Sequence, residues 1–357
     1  MKNILIVGGA GYIGSHICKC LSENGYLPIV LDNLSTGHRR AVKWGPFIEG
    51  AVEQKSLLSH VFSRYDISAV MHFAAFAYVG ESVCNPMKYY RNNVAGTIAL
   101  LEAMVNNNVS KFVFSSTCAI FGNPVKNILD EDHPKNPINP YGRTKLMVEN
   151  ILEDFQDAYG LQSVRLRYFN AAGADPEGEI GEVHKPETHL IPVILQAALR
   201  QRGAVEIYGD NYPTKDGTCV RDYIHVNDLA QAHLLALERL LNGRRGEAYN
   251  LGTGVGYSVK EVIETARAVT GREISVSVKE RRPGDPASLV SSSTKALKEI
   301  GWCPKYNTLR WIVQTAWDWI RKNPDGYEYS HKSASPPKGS RHNVSHDTEA
   351  NRLRKSS

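Results

Sequence analysis

Short apolar runs alternate with longer amphipathic stretches through the first half of the chain. Ile4-Leu5-Ile6-Val7 and the runs at 28–31, 69–73, 111–115 and 163–169 read as buried strands. Residues 12–24, 86–107 and 141–159 carry the spacing of helices, and Asn24-Gly25 is a stop signal for the first of them. Alternation of this kind predicts an α/β fold, a doubly wound parallel sheet with helices on both faces. After about residue 170 the alternation weakens, glycine and proline rise, and helical patterns recur near 190–202, 227–242, 258–270 and 308–321. The expected organisation is a sheet domain over residues 1–170 and a smaller mixed α/β lobe over 171–329, some of whose segments return to the sheet domain. A tail occupies 330–357.

On such a sheet, ligands sit outside the carboxyl ends of the strands. The first strand runs directly into Gly8-Gly9-Ala10-Gly11-Tyr12-Ile13-Gly14. Glycines there allow a sharp turn and a close backbone approach, and the next helix N-terminus offers free N–H groups to a pyrophosphate. The second strand ends at Asp32, about 20 residues beyond the glycine loop, where a ribose 2′-hydroxyl needs an acceptor. A carboxylate at that place repels a 2′-phosphate and favours NAD over NADP, with Arg39 and Arg40 as the opposing signal.

Composition adds mainly exclusions. Hydrophobic residues make up 42% and charged residues 22%, the balance of an ordinary globular protein. No apolar run approaches the roughly 20 residues of a membrane span, and the run at 4–7 is too short for a signal peptide. Of the net charge of +5, most falls in 330–357, where Lys332, Lys338, Arg341, Arg352, Arg354 and Lys355 face only Asp347 and Glu349. The remainder is nearly neutral, which argues against a nucleic-acid partner, and the Ser-, Lys-, Arg- and His-rich tail is expected to be disordered. The six cysteines show no CxxC pair and no companion histidine spacing, so neither a metal site nor a disulfide framework is expected, and a reducing cytoplasm is.

Tyr141 and Lys145 lie four apart where a helix begins, so the phenol and the ammonium share a face. A nearby cation stabilises a phenolate, which would make Tyr141 a general base. With 17 tyrosines in the chain this spacing alone is not diagnostic. Thr117 sharpens it, because it ends a strand of the same sheet, where its hydroxyl could reach Tyr141.

The glycine loop, Asp32, Ser115-Ser116-Thr117 and the Tyr141/Lys145 pair together resemble the extended short-chain dehydrogenase/reductase family, a Rossmann-fold family, and within it the NAD-dependent UDP-sugar 4-epimerases. The resemblance also rests on His72-Phe73-Ala74-Ala75, Val79-Gly80-Glu81-Ser82, Asn92-Asn93, Arg167-Tyr168-Phe169-Asn170, and the stretches at 216–225, 249–256 and 281–285, in family order over about residues 2–328. It implies interconversion of UDP-glucose and UDP-galactose through a transient 4-keto sugar and enzyme-bound NADH. Tyr141 would exchange the proton of the sugar 4-hydroxyl. Lys145 would hold the nicotinamide ribose and depress the Tyr141 pKa, and Thr117 would hydrogen-bond the sugar. Gly8, Gly11, Tyr12, Ile13, Gly14, Asp32, Asn33, Phe73, Ala74, Ala75, Asn92, Lys145 and Tyr168 would hold NAD. Asn170, His189, Leu190, Tyr208, Arg221, Arg282, Asp285 and Ser288 would line the UDP-sugar together with Thr117 and Tyr141. A homodimer through the helices near 86–107 and 141–159 is also implied.

Departures from the family pattern carry information. Ala51 stands where relatives often place an acid on the adenine. His189 stands where an asparagine commonly contacts substrate. Ser288, at a position where a bulky tyrosine closes the sugar pocket, leaves room for an N-acetyl group. Two other substrate readings remain open, a UDP-xylose/UDP-arabinose 4-epimerase and another NAD-dependent nucleotide-sugar reductase or dehydratase. Cys118-Ala119, where a dehydratase would place acids, argues against the latter.

Overall fold

The computed structural model describes residues 1–282 and 285–328; Pro283, Gly284 and the expected tail at 330–357 lie outside the described residues. Residues Met1–Tyr327 form one compact unit. The first half contains β1 (Asn3–Val7), α1 (Tyr12–Glu23), β2 (Leu27–Asp32), β3 (Phe47–Glu49), α2 (Lys55–Arg64), β4 (Ile67–His72), α3 (Val79–Cys84), α4 (Pro86–Tyr89), α5 (Gly96–Asn106), β5 (Lys111–Thr117), α6 (Pro140–Tyr159) and β6 (Gln162–Tyr168). The second half adds β7 (Asn170–Ala172), α7 (Leu190–Ala198), β8 (Val205–Tyr208), β9 (Val220–His225), α8 (Val226–Leu241), β10 (Ala248–Leu251) and β11 (Gly256–Ser258). It ends with α9 (Val259–Thr270), β12 (Val276–Lys279), β13 (Ser288–Leu289), α10 (Thr294–Ile300) and α11 (Leu309–Lys322).

The main sheet has seven strands in the order β10-β6-β5-β4-β1-β2-β3, all parallel. The direction of winding reverses between β1 and β4, which opens a crevice at their carboxyl ends. Alternation along β1 explains the two faces. Ile4 and Ile6 pack with Ile17 and Leu21 of α1 and with Leu229 and Leu237 of α8. Leu5 and Val7 pack with α2, α5 and α6 through Leu58, Leu100 and Leu152. The second half thus contributes β10 and α8 to the main sheet. It also builds a smaller sheet of β11, β9 and β13, with β7 beside β9, and a β12–β8 pair, over a separate core that includes Ile194, Ile263, Val313 and Trp317.

One predicted helix is interrupted. The stretch read as a helix over 86–107 is α4, then a π-helical turn over Tyr90–Ala95, then α5. The extra residue of the wide turn accommodates the buried Asn93, whose Oδ1 accepts from Phe76 N at 3.0 Å and whose Nδ2 donates to Phe76 O and Thr144 Oγ1 at 3.0 and 3.2 Å. Periodicity alone does not show such a turn.

Helix α6 is specified locally. Asn139 caps it by accepting from Gly142 N at 2.9 Å, Pro140 starts it and Gly160 ends it in the left-handed conformation. Gly142 lets it lie close to the turn after β5, because a Cβ there would stand 2.6 Å from Ala119 O. Beneath, Arg167 Nε and Nη2 donate to the two oxygens of Glu149 at 2.9 and 2.5 Å, and Ser116 Oγ donates to Glu149 Oε1 at 2.6 Å. Burial would raise the Glu149 pKa, but the guanidinium overrides it and holds the carboxyl below its usual range. Both side chains are sealed from solvent, so truncating one strands the other as a buried charge. Glu149→Ala and Arg167→Ala are each expected to cost about 3–5 kcal/mol in chemical denaturation, whereas the double replacement Glu149→Leu/Arg167→Met regains most of that stability. Equal losses in the single and double variants would contradict the pair's role.

Candidate active site

The crevice between β1 and β4 opens as a cleft of about 540 Å3, counting its mouth, lined by Gly8, Gly11, Asp32, Asn33, Phe73, Ala74, Ala75 and Asn92. All eight are residues that the sequence marks as cofactor contacts. Ser35, Thr36, Gly50, Val52 and Phe76 also line the cleft without having been expected there. The first two lie just beyond Asp32, which was a usable signal; Phe76 and Val52 offered none.

The glycines of the loop have different physical reasons. Gly8 has φ +87°, and a Cβ there would stand 2.4 Å from Ala74 N. A Cβ on Gly14 would stand 2.2 Å from Gly8 O. Both are demanded by packing. A Cβ on Gly11 would meet nothing closer than Gly8 O at 3.4 Å, so the protein itself does not require glycine there. Gly11 is the N-cap residue of α1, with no acidic residue in the first turn to occupy the free N–H groups. An open cradle at a positive helix end fits a pyrophosphate. Tyr12 donates its hydroxyl to Gly173 O at 2.7 Å, tying this helix start to the second half, and Ile13 packs into the core below.

Asp32 accepts from Ala10 N at 2.9 Å and Leu34 N at 2.8 Å. Burial raises its pKa, and these two amides oppose the rise. Each oxygen keeps lone-pair capacity for a ribose hydroxyl. The two cations near enough in sequence to serve a 2′-phosphate are engaged: Arg39 lies 4.6 Å over the Phe47 ring and Arg40 donates to Tyr327 O at 2.9 Å. At position 51 the backbone N–H of Ala51 donates to Gln54 Oε1 at 3.1 Å, and the cleft wall there is Gly50 and Val52.

Tyr141, Lys145 and Glu149 occupy successive turns of one face of α6, and each meets a different residue of β5. Thr117 is close enough to Tyr141 to favour its phenolate, Lys145 Nζ donates to Ser115 O at 2.7 Å, and Glu149 accepts from Ser116. Burial raises the Tyr141 pKa and Thr117 lowers it; the net direction is upward. The Lys145 ammonium is held beside this face by a backbone carbonyl, and Thr117 favours the phenolate. Burial also pushes Lys145 down to about 7. Lys145 lies close enough to His72, the last residue of β4, to lower that imidazole's pKa further beyond the effect of burial, which sets it beside the Phe73–Ala75 wall. Tyr168 turns its hydroxyl to Ser115 Oγ. Glu149 was missed in the sequence, although its spacing of four from Lys145 continues the same face.

The predicted substrate residues gather differently. Asn170 donates to Asp222 O at 3.4 Å. Asp222 in turn accepts from Thr253 N, Gly254 N and Ser291 N, a loop-holding role not read from the sequence. Arg221 pairs with the Asp285 carboxylate and donates to Pro286 O at 2.9 Å, so its fork is shared within the protein. Arg282 lies 3.7 Å over the Tyr208 ring. Ser288 sits on β13 beside Val220, and Leu190 opens α7. His189 approaches Glu182 and Glu187 at 2.9 and 3.1 Å.

Residues 4–252 match the model of the NAD dependent epimerase/dehydratase family. The chain is 53% identical over 329 residues to a UDP-glucose 4-epimerase of Halalkalibacterium halodurans, covering 92% of this chain and 98% of that one. Its fold is similar to a UDP-glucose 4-epimerase from Brucella ovis solved with NAD, at TM-score 0.87 and 50% identity over 89% of this chain and 98% of that one. It is likewise similar to one from Bifidobacterium longum solved with NAD+ and UDP, at TM-score 0.87 and 38% identity over 91% and 100%. A cradle for a pyrophosphate, a ribose acceptor at Asp32 and a family match over most of the sheet lead to one conclusion: the chain belongs to the NAD-dependent epimerase/dehydratase family.

Proposed function

We propose that this chain epimerises UDP-hexoses at carbon 4, interconverting UDP-glucose and UDP-galactose with NAD held in the β1/β4 cleft. The observation that carries the reading is the α6 face that sets Tyr141 against Thr117 at the carboxyl end of β5, next to the wall of that cleft. NAD supplies an acceptor, and afterwards a donor, for the hydride at sugar carbon 4. Tyr141 removes the proton of the 4-hydroxyl and later returns it. Thr117, beside the phenol, lowers the cost of the phenolate and would hydrogen-bond a sugar hydroxyl. Lys145, fixed by Ser115 O, presents its remaining N–H donors to the cofactor side. Because the proton and hydride both return, no net oxidation results.

The UDP end falls to Asn170, His189, Leu190, Tyr208, Arg221, Arg282 and Asp285. The phosphate-facing cations Arg221 and Arg282 are held by Asp285 and Tyr208, which orders their forks before substrate arrives. Ser288 leaves the sugar pocket open to an N-acetyl group. Residues Ile98 of α5 and Met147 of α6 expose apolar side chains on the same side of the sheet, which supports a homodimer through these two helices. Among the described residues no helix is long and apolar enough to cross a membrane, and all six cysteines are free thiols, as a cytoplasmic enzyme would keep them.

Purified protein given UDP-glucose without added cofactor is expected to form UDP-galactose, observed by NMR, with no accumulation of NADH; stoichiometric NADH release would overturn the reading. Tyr141→Phe should lower kcat about 10²–10⁴-fold while UDP still binds by calorimetry, and full activity in this variant would remove Tyr141 as the base. For the sugar pocket, UDP-N-acetylglucosamine should also turn over. Ser288→Tyr should then reduce kcat/KM for it relative to UDP-glucose at least about tenfold, the scale of a pocket's steric discrimination; no turnover by the unaltered protein sinks the idea. Light scattering should give a dimer mass that falls to a monomer in Ile98→Asp/Met147→Glu, and a monomeric parent would refute the helix-face contact.

A further inference from the structure

Four side chains from one short stretch meet outside the NAD cleft and the α6 face. Glu182, His184, Glu187 and His189 lie between β7 and α7, in a segment with no regular secondary structure. One donor atom from each lies within 4.8 Å of every other. The glutamate side chains are only 7% and 5% exposed. His189 Nδ1 stands 2.9 Å from Glu182 Oε1 and 3.1 Å from Glu187 Oε1. His184 Nδ1 stands 3.3 Å from Glu182 Oε1 and 3.5 Å from Glu187 Oε2. This nitrogen is nevertheless buried without a hydrogen-bond partner. It is near two acceptors and aligned with neither.

We infer that Glu182, His184, Glu187 and His189 form a binding site for a divalent transition-metal ion, zinc by preference. Four donors converging on one point explain why short separations coexist with a nitrogen that makes no hydrogen bond. A tetrahedral zinc ion with bonds of about 2.0–2.1 Å to nitrogen and oxygen requires ligand-to-ligand edges of about 3.3–3.4 Å. The nitrogen-to-oxygen separations of 2.9 to 3.5 Å, which involve Glu182 Oε1 and both oxygens of Glu187, bracket that length. Two imidazoles and two carboxylates suit zinc better than the all-oxygen shells of magnesium or calcium. Two buried carboxylates need two positive charges; two imidazolium rings supply them when no ion is bound, and one divalent ion supplies them with the imidazoles neutral.

The position gives the ion a task. The His184 ring stands edge-on to Tyr12, with centroids 6.5 Å apart, and the His189 ring lies 6.1 Å from Tyr78. Tyr12 belongs to the glycine loop, and His189 precedes Leu190, which opens α7. An ion bound here pins an irregular stretch between the start of α1 and the start of α7. Its role is to hold the segment in place, and no ligand position is left open for catalysis. Cysteine spacing gives no hint of the site; the spacing Glu-x-His-x-x-Glu-x-His was the available signal.

The test uses the full chain, purified without a histidine tag and made metal-free by a chelator. Elemental analysis after zinc loading and exhaustive dialysis should return about one equivalent per chain. Cobalt(II) in its place should give the intense visible bands of a four-coordinate ion, and the loaded protein should melt at a higher temperature than the metal-free form. In His184→Ala and Glu182→Gln the retained equivalent should be lost. The melting temperature of these variants should no longer respond to zinc. Failure to retain zinc or cobalt, a weak six-coordinate cobalt spectrum, or retention of the full equivalent by folded His184→Ala would each overturn the proposal. In the first case the cluster is a set of imidazolium–carboxylate pairs. The cobalt spectrum of the unaltered protein decides the matter even if a variant does not fold, and the epimerase reading is tested separately by product formation.

Discussion

The Glu149–Arg167 ion pair sets the height and rotation of α6 over the sheet, and the active-site geometry depends on that placement. Arg167 stands on β6, paired across from Ser116 on β5, and Glu149 reaches down from α6 to both. One turn earlier, Lys145 is then over Ser115, and one further turn brings Tyr141 to Thr117. Residues four apart share one face of a helix, so all three side chains are turned toward the same strand. The same residue spacing that aligns the chemistry therefore also aligns the anchor. The closeness of the helix depends on Gly142, without which the backbone at Ala119 would be displaced.

The cofactor cleft depends on a different constraint, the reversal of winding between β1 and β4. Parallel strands end on one edge of the sheet, and at the reversal no helix covers that edge. Asp32 and the glycine loop come from the β1–β2 side, and Phe73–Ala75 from β4. The cation–acid pairs on the second-half lobe, Arg221–Asp285 above all, stand ready on other elements. Burial acts in opposite directions on the groups in this region. It raises Tyr141 and Asp32 and lowers Lys145, so each group depends on its hydrogen-bond partners to hold the charge that its role requires.

Much of this was legible in the sequence where local chemistry and pattern agree. The strands at β1, β2, β4, β5 and β6 are apolar runs ending in polar or glycine residues, and their ends carried the cleft residues Gly8, Gly11, Asp32, Asn33, Phe73, Ala74 and Ala75. The helices α1, α6, α7, α8, α9 and α11 all fall close to the expected ranges. What escaped was non-local. The short strands β3, β8, β11, β12 and β13 span two to four residues each and have too little length for a periodic signal. That a backbone carbonyl on another element would hold the Lys145 ammonium could not be read from the helix face it shares with Tyr141. The Glu182–His189 cluster depends on how an irregular loop folds back, which no propensity describes.

The π-helical turn at Tyr90–Ala95 constrains chain length more than chain identity. Asn93 bridges Phe76 of the cleft wall to Thr144 of α6 only because the wide turn offsets α5 from α4 by one position. Removing one residue between Tyr90 and Ala95 would turn the wide turn into ordinary helix and take away the extra residue that seats Asn93. Insertions are no easier, since the offset is already taken up. Along this stretch the protein can change side chains freely at its surface positions, but the number of residues is fixed by a hydrogen-bond bridge that belongs to the active site.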